Sequence, residues 1–347
     1  MIRMLEDLTG VNARTDIALD DPDTMSLFTT SEKLGFVDDP ILGPTGAVAI
    51  PEFNTQFTRQ MLMDTEPRDV NTLIRLSGFS HGTDVWLGNA RDLILGGTAS
   101  VLETVGCRDD IMLYLIQMGL APKTAFKIME AVRKGKVKKD GFQPGWAEEM
   151  REHHVPEWYI DSLAKIGYLF PKAHAVAYVM MAFRIAWFKV HRPLEFYAAY
   201  FSIRAKAFDA TYMCQGIEVA KDNIRRIRKK MEDKSASAVE EDAYTTLEVV
   251  YEFYLRGLTF HPLNLYRSDA THFQRDGEDA LIPPFTAVPG LGESAAENIV
   301  EQRVGRDFIS IEEFADACPK VSKTHIEKLK AAGAFDDMPD TSQITLF

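Results

Sequence analysis

The sequence predicts a mainly α-helical protein. Six stretches place apolar residues at spacings of three and four, strand signals are sparse, and glycine and proline cluster between the stretches. In chain order the helical stretches are 52–64, 108–119, 122–134 (stopped by Gly135), 146–152, 156–168 and 171–191. Punctuation falls at 40–46, 82–88, 135–145 and 283–292. Only 47–50 (AVAI) and 280–285 (ALIPPF) read as strands. The polar run 231–243 predicts an exposed bend between a basic helix and a following one. Composition breaks near residue 255, and a small module of roughly 280–335 follows; no internal repeat or low-complexity tract stands out.

The 347 residues carry 39 Lys+Arg against 51 Asp+Glu, a formal charge of −12. That balance excludes a uniformly basic nucleic-acid binder but not local basic patches. Apolar content of 46% and charged content of 26% exclude disordered, collagenous and coiled-coil chains. Cys107, Cys214 and Cys318 lie more than a hundred residues apart, so they form no CxxC zinc knuckle and suit a reducing compartment. The start MIRMLEDLTG lacks the apolar core of a signal peptide. The longest apolar run, Ala175–Phe183, is nine residues, about half a membrane span. A soluble, cytoplasmic protein without membrane contact is expected.

Charge is unevenly placed. Residues 121–140 and 219–234 each hold seven bases, and 171–192 hold four bases and two histidines with no acid. These three segments suggest anions held at chosen places. Within the third, Phe170-Pro171-Lys172-Ala173-His174 opens a helix on which Tyr178 stands four residues after His174. A lysine, a histidine and free amides at a helix start suit a triphosphate, and Tyr178 suits a sugar or base. The same residues fit a core helix with a hydrogen-bonded histidine, and residue types leave both readings open. Lys123, Lys127, Arg133, Lys134 and Lys136 form a second cluster on a helix that ends at Gly135, which equally fits a solvated face. The turn Ser80–Trp86 is uninformative alone, and the His153-His154 pair reads as surface.

Val288-Pro289-Gly290-Leu291-Gly292 followed by ESAAENIVEQR is the helix-hairpin-helix pattern. Glycines there let backbone amides approach a DNA phosphate with no Cβ between. No GK[ST] follows, so it is not a P-loop. The end, Gln343-Ile344-Thr345-Leu346-Phe347, places an apolar triple on a polar tail. It reads as a docking peptide with Leu346 and Phe347 as anchors and Gln343 as hydrogen-bonding partner, or as a tail folded onto the body.

Together these residues resemble the bacterial DNA polymerase III alpha subunit of the PolC type. The resemblance spans essentially the whole chain and is most specific in GFSHGTDVWLGNA (78–90), GCRDDIMLYLIQMGL (106–120), FKIMEAVRKGK (126–136), the run 155–193, LYRSDATHF (265–273) and LIPPFTAVPGLG (281–292). It implies a palm-to-fingers connection over 1–50 and a helical fingers domain over 51–260. It further implies a helix-hairpin-helix DNA-binding module over 261–335 and a clamp-binding tail over 336–347. Lys127, Arg133, Lys134, Lys136, Lys172, His174, Tyr178 and Arg184 would line the dNTP pocket. Pro289, Gly290, Leu291 and Gly292 would grip primer-template DNA. Gln343, Leu346 and Phe347 would meet the sliding clamp, with other replisome components as further partners. The parent activity is template-directed nucleotidyl transfer. Its Mg²⁺ would be held by palm aspartates upstream of the matched part, because the acids of DIALDDPD (16–23) occupy a different segment of the family. No catalytic or metal residue is assigned here, and the chain alone is expected to lack activity. It then reads as a piece of a longer polymerase, whether a truncated gene, a fragmentary gene prediction or an engineered piece. The basic loop 134–145 is longer than the family pattern, which leaves Lys138 and Lys139 unassigned. Two rivals stand beside this: a non-catalytic DNA-binding module tethered to a clamp, and a helical enzyme acting on another phosphorylated substrate.

Overall fold

The computed structural model describes residues 1–342, and the predicted clamp-binding residues Gln343, Leu346 and Phe347 lie outside them. Eighteen α-helices and one small three-stranded sheet stand among the described residues, so the chain is mainly α. Helices α1 (Ile2–Thr9) and α2 (Pro22–Ser26) open the chain. The middle carries α3 (Gln56–Thr65), α4 (Val70–His81), α5 (Arg91–Leu95), α6 (Arg108–Gln117) and α7 (Pro122–Arg133). There follow α8 (Lys136–Asp140), α9 (Trp146–Glu152), α10 (Glu157–Lys165) and the long α11 (Lys172–His191). Next come α12 (Pro193–Ile203), α13 (Ala210–Met213), α14 (Ile217–Glu232) and α15 (Ala238–Leu255). Strands β1 (Thr259–Phe260), β2 (Gln274–Asp276) and β3 (Ala280–Ile282) precede α16 (Glu293–Gln302), α17 (Ile311–Ala317) and α18 (Lys323–Ala331).

Two apolar cores organise these elements. One gathers side chains between Leu27 and Ala186; the other joins Leu5–Ala49 to Ile185–Phe335. Helix α11 belongs to both. Val179, Ala182, Phe183 and Ala186 face the first, and Ile185 and Phe188 face the second. It is the one described helix long and apolar enough to cross a membrane, and here it is the shared spine of two cores. Apolar residues around most of its circumference are what such a two-sided burial requires.

Strand β3 is central, parallel to β1 and antiparallel to β2, as the apolar run at 280–285 suggests. The run 47–50 is no strand. Its side chains are buried, but Ala49 has a positive φ of 64°, and the carbonyls of Gly46 and Val48 are taken by Lys189. A side-chain donor therefore does the work of a neighbouring strand. The bend at 231–243 is present, closed by a capping box of Ser237 and Glu240 that starts α15. The loop 135–141 contains the short helix α8, whose Lys138 pairs with Asp84 at 2.6 Å.

Lys189 itself is fully buried. Its Nζ donates to Gly46 O at 2.8 Å and Val48 O at 2.5 Å, and pairs with Glu252 at 2.7 Å. Burial pulls its pKa down to about 8 even with that carboxylate beside it. A second buried pair, Arg59–Glu248 at 2.8 Å, ties α3 to α15. The two pairs fasten the segment 42–54 between α11, α3 and α15.

Candidate functional site

The start of α11 is placed by a short extended segment, 167–170, to which three other elements are bonded. The Gly167 amide donates to Thr83 O at 2.9 Å, and the Thr83 amide donates to Tyr168 O at 2.9 Å. The Leu169 amide donates to Arg133 O at 3.2 Å, and the Arg108 amide donates to Phe170 O at 3.1 Å. The ends of α4 and α7 and the start of α6 thus meet at one point. Gly135 permits this: its φ is 69°, and a Cβ there would stand 2.5 Å from Gly167 O.

Aromatic rings collect above that junction. Phe170 stacks on His174 at 5.1 Å between centroids, and His174 lies 4.4 Å from Tyr178. The ring of His81, the last residue of α4, stands edge-on to His174 at 5.9 Å and 5.6 Å from Phe170. His174 is half-buried, whereas Tyr178 and Met181, one turn apart, are 46% and 45% exposed. The surface is an open aromatic ledge of the kind on which a base or sugar packs.

Cations border the ledge, and most are already engaged. Arg133 and Lys134 both pair with Glu130, Lys134 at 2.8 Å. Those two cations hold the Glu130 carboxyl down at about 2, so it stays ionised across the physiological range. The expectation that the α11 start has no acid nearby is corrected. Asp109 Oδ2 accepts the Lys172 amide at 2.7 Å, and Asp110 Oδ1 lies 3.9 Å from Lys172 Nζ. Both acids belong to α6, outside the window 171–192. A cleft of about 140 Å³ opens there, lined by Arg75, Gly106, Asp110 and Lys172. Larger clefts of about 580 and 510 Å³ lie elsewhere, between α2 and residues 66–70 and beside Pro289. An open ledge for a charged ligand needs no enclosed cavity.

The structure therefore brings Lys172, His174 and Tyr178 together and links Arg133 and Lys134 to them through Leu169. Lys127 lies earlier on α7, on the same exposed face as Lys134, and Lys136 is exposed at the start of α8. Neither makes an ion pair among the described residues. Arg184 lies further along α11, and its buried Nε has no hydrogen-bond partner among the described residues.

The basic segment 219–234 is largely engaged within the chain. Arg226 and Lys230 pair with Glu240, and the Arg228 guanidinium lies 5.9 Å from the Tyr244 ring centre. The three cysteines offer no ready thiolate: burial pushes Cys107 up to about 12 and Cys318 up to about 11, and raises Cys214 as well.

The hairpin at 288–292 has the geometry its sequence suggests. Val288 and Leu291 are buried, Leu291 at 4% exposure, so they hold the turn from beneath. Gly290 has a φ of 87°, and Gly292 caps α16 with open space where a Cβ would stand. Lys328 Nζ braces the turn through Pro289 O at 2.8 Å. The structure also shows a repeat that the sequence hides. Cys318–Ser322 closes a turn between α17 and α18 with the same bond, the Val321 amide donating to Cys318 O at 2.9 Å as the Leu291 amide does to Val288 O at 3.0 Å, although Lys320 does not take the positive φ of Gly290. VPGLG and CPKVS share only the proline and the apolar residue two places later, too little to register as a repeat.

Glu52, His81, Asp109 and Asp110 escaped sequence reasoning. Each acts on a partner 29 or more residues away, and no spacing rule reaches that far.

Two family models match the chain. The family model for the bacterial DNA polymerase III alpha subunit finger domain matches residues 1–154, and that for a helix-hairpin-helix motif matches 257–344. The chain is 52% identical over 347 residues to the DNA polymerase III PolC-type of Bacillus cereus, and 50% identical to that of Bacillus subtilis. It is 50% identical over 350 residues to that of Streptococcus mutans. Each alignment takes in 100% of this chain and 24% of the relative, so the chain spans about a quarter of the length of these relatives.

Proposed function

We propose, from about 50% identity along its whole length to PolC-type DNA polymerase III relatives, that the chain holds the incoming dNTP and the duplex for template-directed DNA synthesis. The observation that supports this most is the ledge of Phe170, His174 and Tyr178 with Lys172, Arg133 and Lys134 at its edge. On this reading the rings take the base and sugar, and the cations take the triphosphate. Arg133 and Lys134 exchange the Glu130 carboxylate for phosphate oxygens, an exchange of like partners that needs little reorganisation. Lys127, Lys136 and Arg184 extend the positive border. Residues 51–260 act as fingers, 261–335 as the DNA grip, and 336–347 as a tail for the sliding clamp, with the cytoplasm as the place of work. Among the described residues no three His, Cys, Asp or Glu converge on a metal position. These residues do not fit a Mg²⁺ centre, and no step is assigned to one.

Equilibrium dialysis of the chain with labelled dNTP, without added metal, tests the nucleotide reading. Lys172→Ala and His174→Ala are each expected to weaken binding about tenfold, the worth of one charge-assisted contact or one good stack. Their melting temperatures should hardly move, because both side chains are at least partly exposed. Absence of dNTP binding by the folded wild-type chain overturns the reading and favours the DNA-binding module alone.

The duplex-binding half is tested at Gly292. A side chain there has room in the fold but stands where a phosphate approaches. Gly292→Val should weaken duplex binding about tenfold for every sequence alike and reduce the salt slope by about one ion. Gly290 is a poorer probe, since its φ of 87° makes any substitution strain the turn. Equal affinity in a folded Gly292→Val variant would make the hairpin purely structural.

A further inference from the structure

We propose that Glu52 is a positioning residue of the nucleotide ledge, acting through His81; this deepens the nucleotide-binding reading and rests on it. Glu52 Oε2 is hydrogen-bonded to His81 Nε2, with side-chain exposures of 15% and 33%. An ionised carboxylate only accepts, so it fixes the proton on Nε2 and sets the ring plane. That ring is a wall of the ledge, edge-on to His174 at 5.9 Å, 5.6 Å from Phe170 and 6.3 Å from Tyr178. An untethered His81 would be free to rotate, and His174 would lose the edge-on ring that backs it.

The backbone that carries Glu52 is itself unusual. Glu52 has a φ of 70° and Ala49 a φ of 64°, on either side of Ile50-Pro51. Side chains rarely adopt this left-handed conformation, and it persists only where the surroundings enforce it. Here they do. Asn54 Oδ1 accepts the Ala49 amide at 2.7 Å, and buried Lys189 takes the carbonyls of Gly46 and Val48. The fold thus accepts strain at residue 52 and places a carboxylate against His81. Backbone strain of this kind clusters at binding sites.

These facts separate a positioning role from a structural one. Glu52→Gly relieves the left-handed strain and removes the carboxylate, so it should leave the melting temperature unchanged or raise it. It should nevertheless weaken dNTP binding about tenfold and narrow the preference for dNTP over rNTP. Glu52→Gln retains a hydrogen-bond acceptor for Nε2–H and should recover most of both. His81→Ala should match Glu52→Gly in affinity, and the double variant should be no worse than either single. The assay is dialysis of dATP and ATP against the 347-residue chain, with a thermal melt of each variant. Wild-type affinity and selectivity in a folded Glu52→Gly overturn the proposal while the ledge reading stands. A wild-type chain that binds no dATP removes both.

Discussion

Glu252→Ala is expected to destabilise the fold by about 3–5 kcal/mol, the cost of leaving a buried charge without its partner. The cation abandoned is Lys189, which has no solvent access. The same carboxylate accepts from Tyr197 Oη at 2.6 Å, so one substitution also orphans a buried hydroxyl. Two carbonyls cannot neutralise a lysine that burial already holds at about 8. The effect reaches the site, because Lys189 is what fixes 46–48 and hence the strained turn at Glu52. Replacing both partners, as Lys189→Met with Glu252→Leu, should cost less than Glu252→Ala alone, since no charge stays buried. Some loss should remain, because Gly46 O and Val48 O lose their donor. Urea denaturation of the two variants checks this; a Glu252→Ala loss under about 1 kcal/mol would mean that water reaches Lys189.

Gly78→Ala is the second large effect, about 3 kcal/mol or failure to fold. In α4 this glycine lies against the backbone of Gly106, and an added Cβ would overlap the Gly106 carbonyl oxygen and sit 2.7 Å from its carbon. Neither atom is the end of a flexible side chain, so the helix itself must move. Gly106 is also close to α4 at a second point, since a Cβ there would meet Arg75 Cδ at 2.5 Å and Arg75 O at 3.1 Å. Helix α4 ends in His81, and displacement would carry that ring off the ledge. A fall in melting temperature together with weaker dNTP binding is the expected pair of readings. A folded variant of wild-type stability would show that α4 and residue 106 are not held together.

Helix positions were the most legible part of the sequence. Helices α6, α7, α9 and α11 begin within one residue of their predicted starts, because Cys107-Arg108, Pro122, Gly145 and Pro171 mark those starts locally. The predicted 52–64 helix begins later, at Gln56, since Glu52 is left-handed and Thr55 supplies the cap. Lys189 shows what charge counting misses. In sequence it belongs to a basic, acid-free window, yet in the fold it is an internal strut. Lys172 shows the converse, since its acids arrive from Asp109 and Asp110, over sixty residues earlier. The run 47–50 was apolar enough for a strand and lacked a neighbour to pair with. The second hairpin was hidden because a turn needs only a few backbone bonds, and Cys318–Ser322 makes them without either glycine. Residue types and spacing report local structure, and the ledge is assembled from four separate segments.

The direct measurement of the central claim is photo-crosslinking of the chain with 8-azido-dATP, followed by mapping of the labelled peptide. Labelling should concentrate on residues 168–181, be competed by unmodified dNTP, and fall sharply in the Lys172→Ala/His174→Ala double variant. Label spread over α14 and α15, or unchanged in the folded double variant, would contradict a nucleotide site at the start of α11.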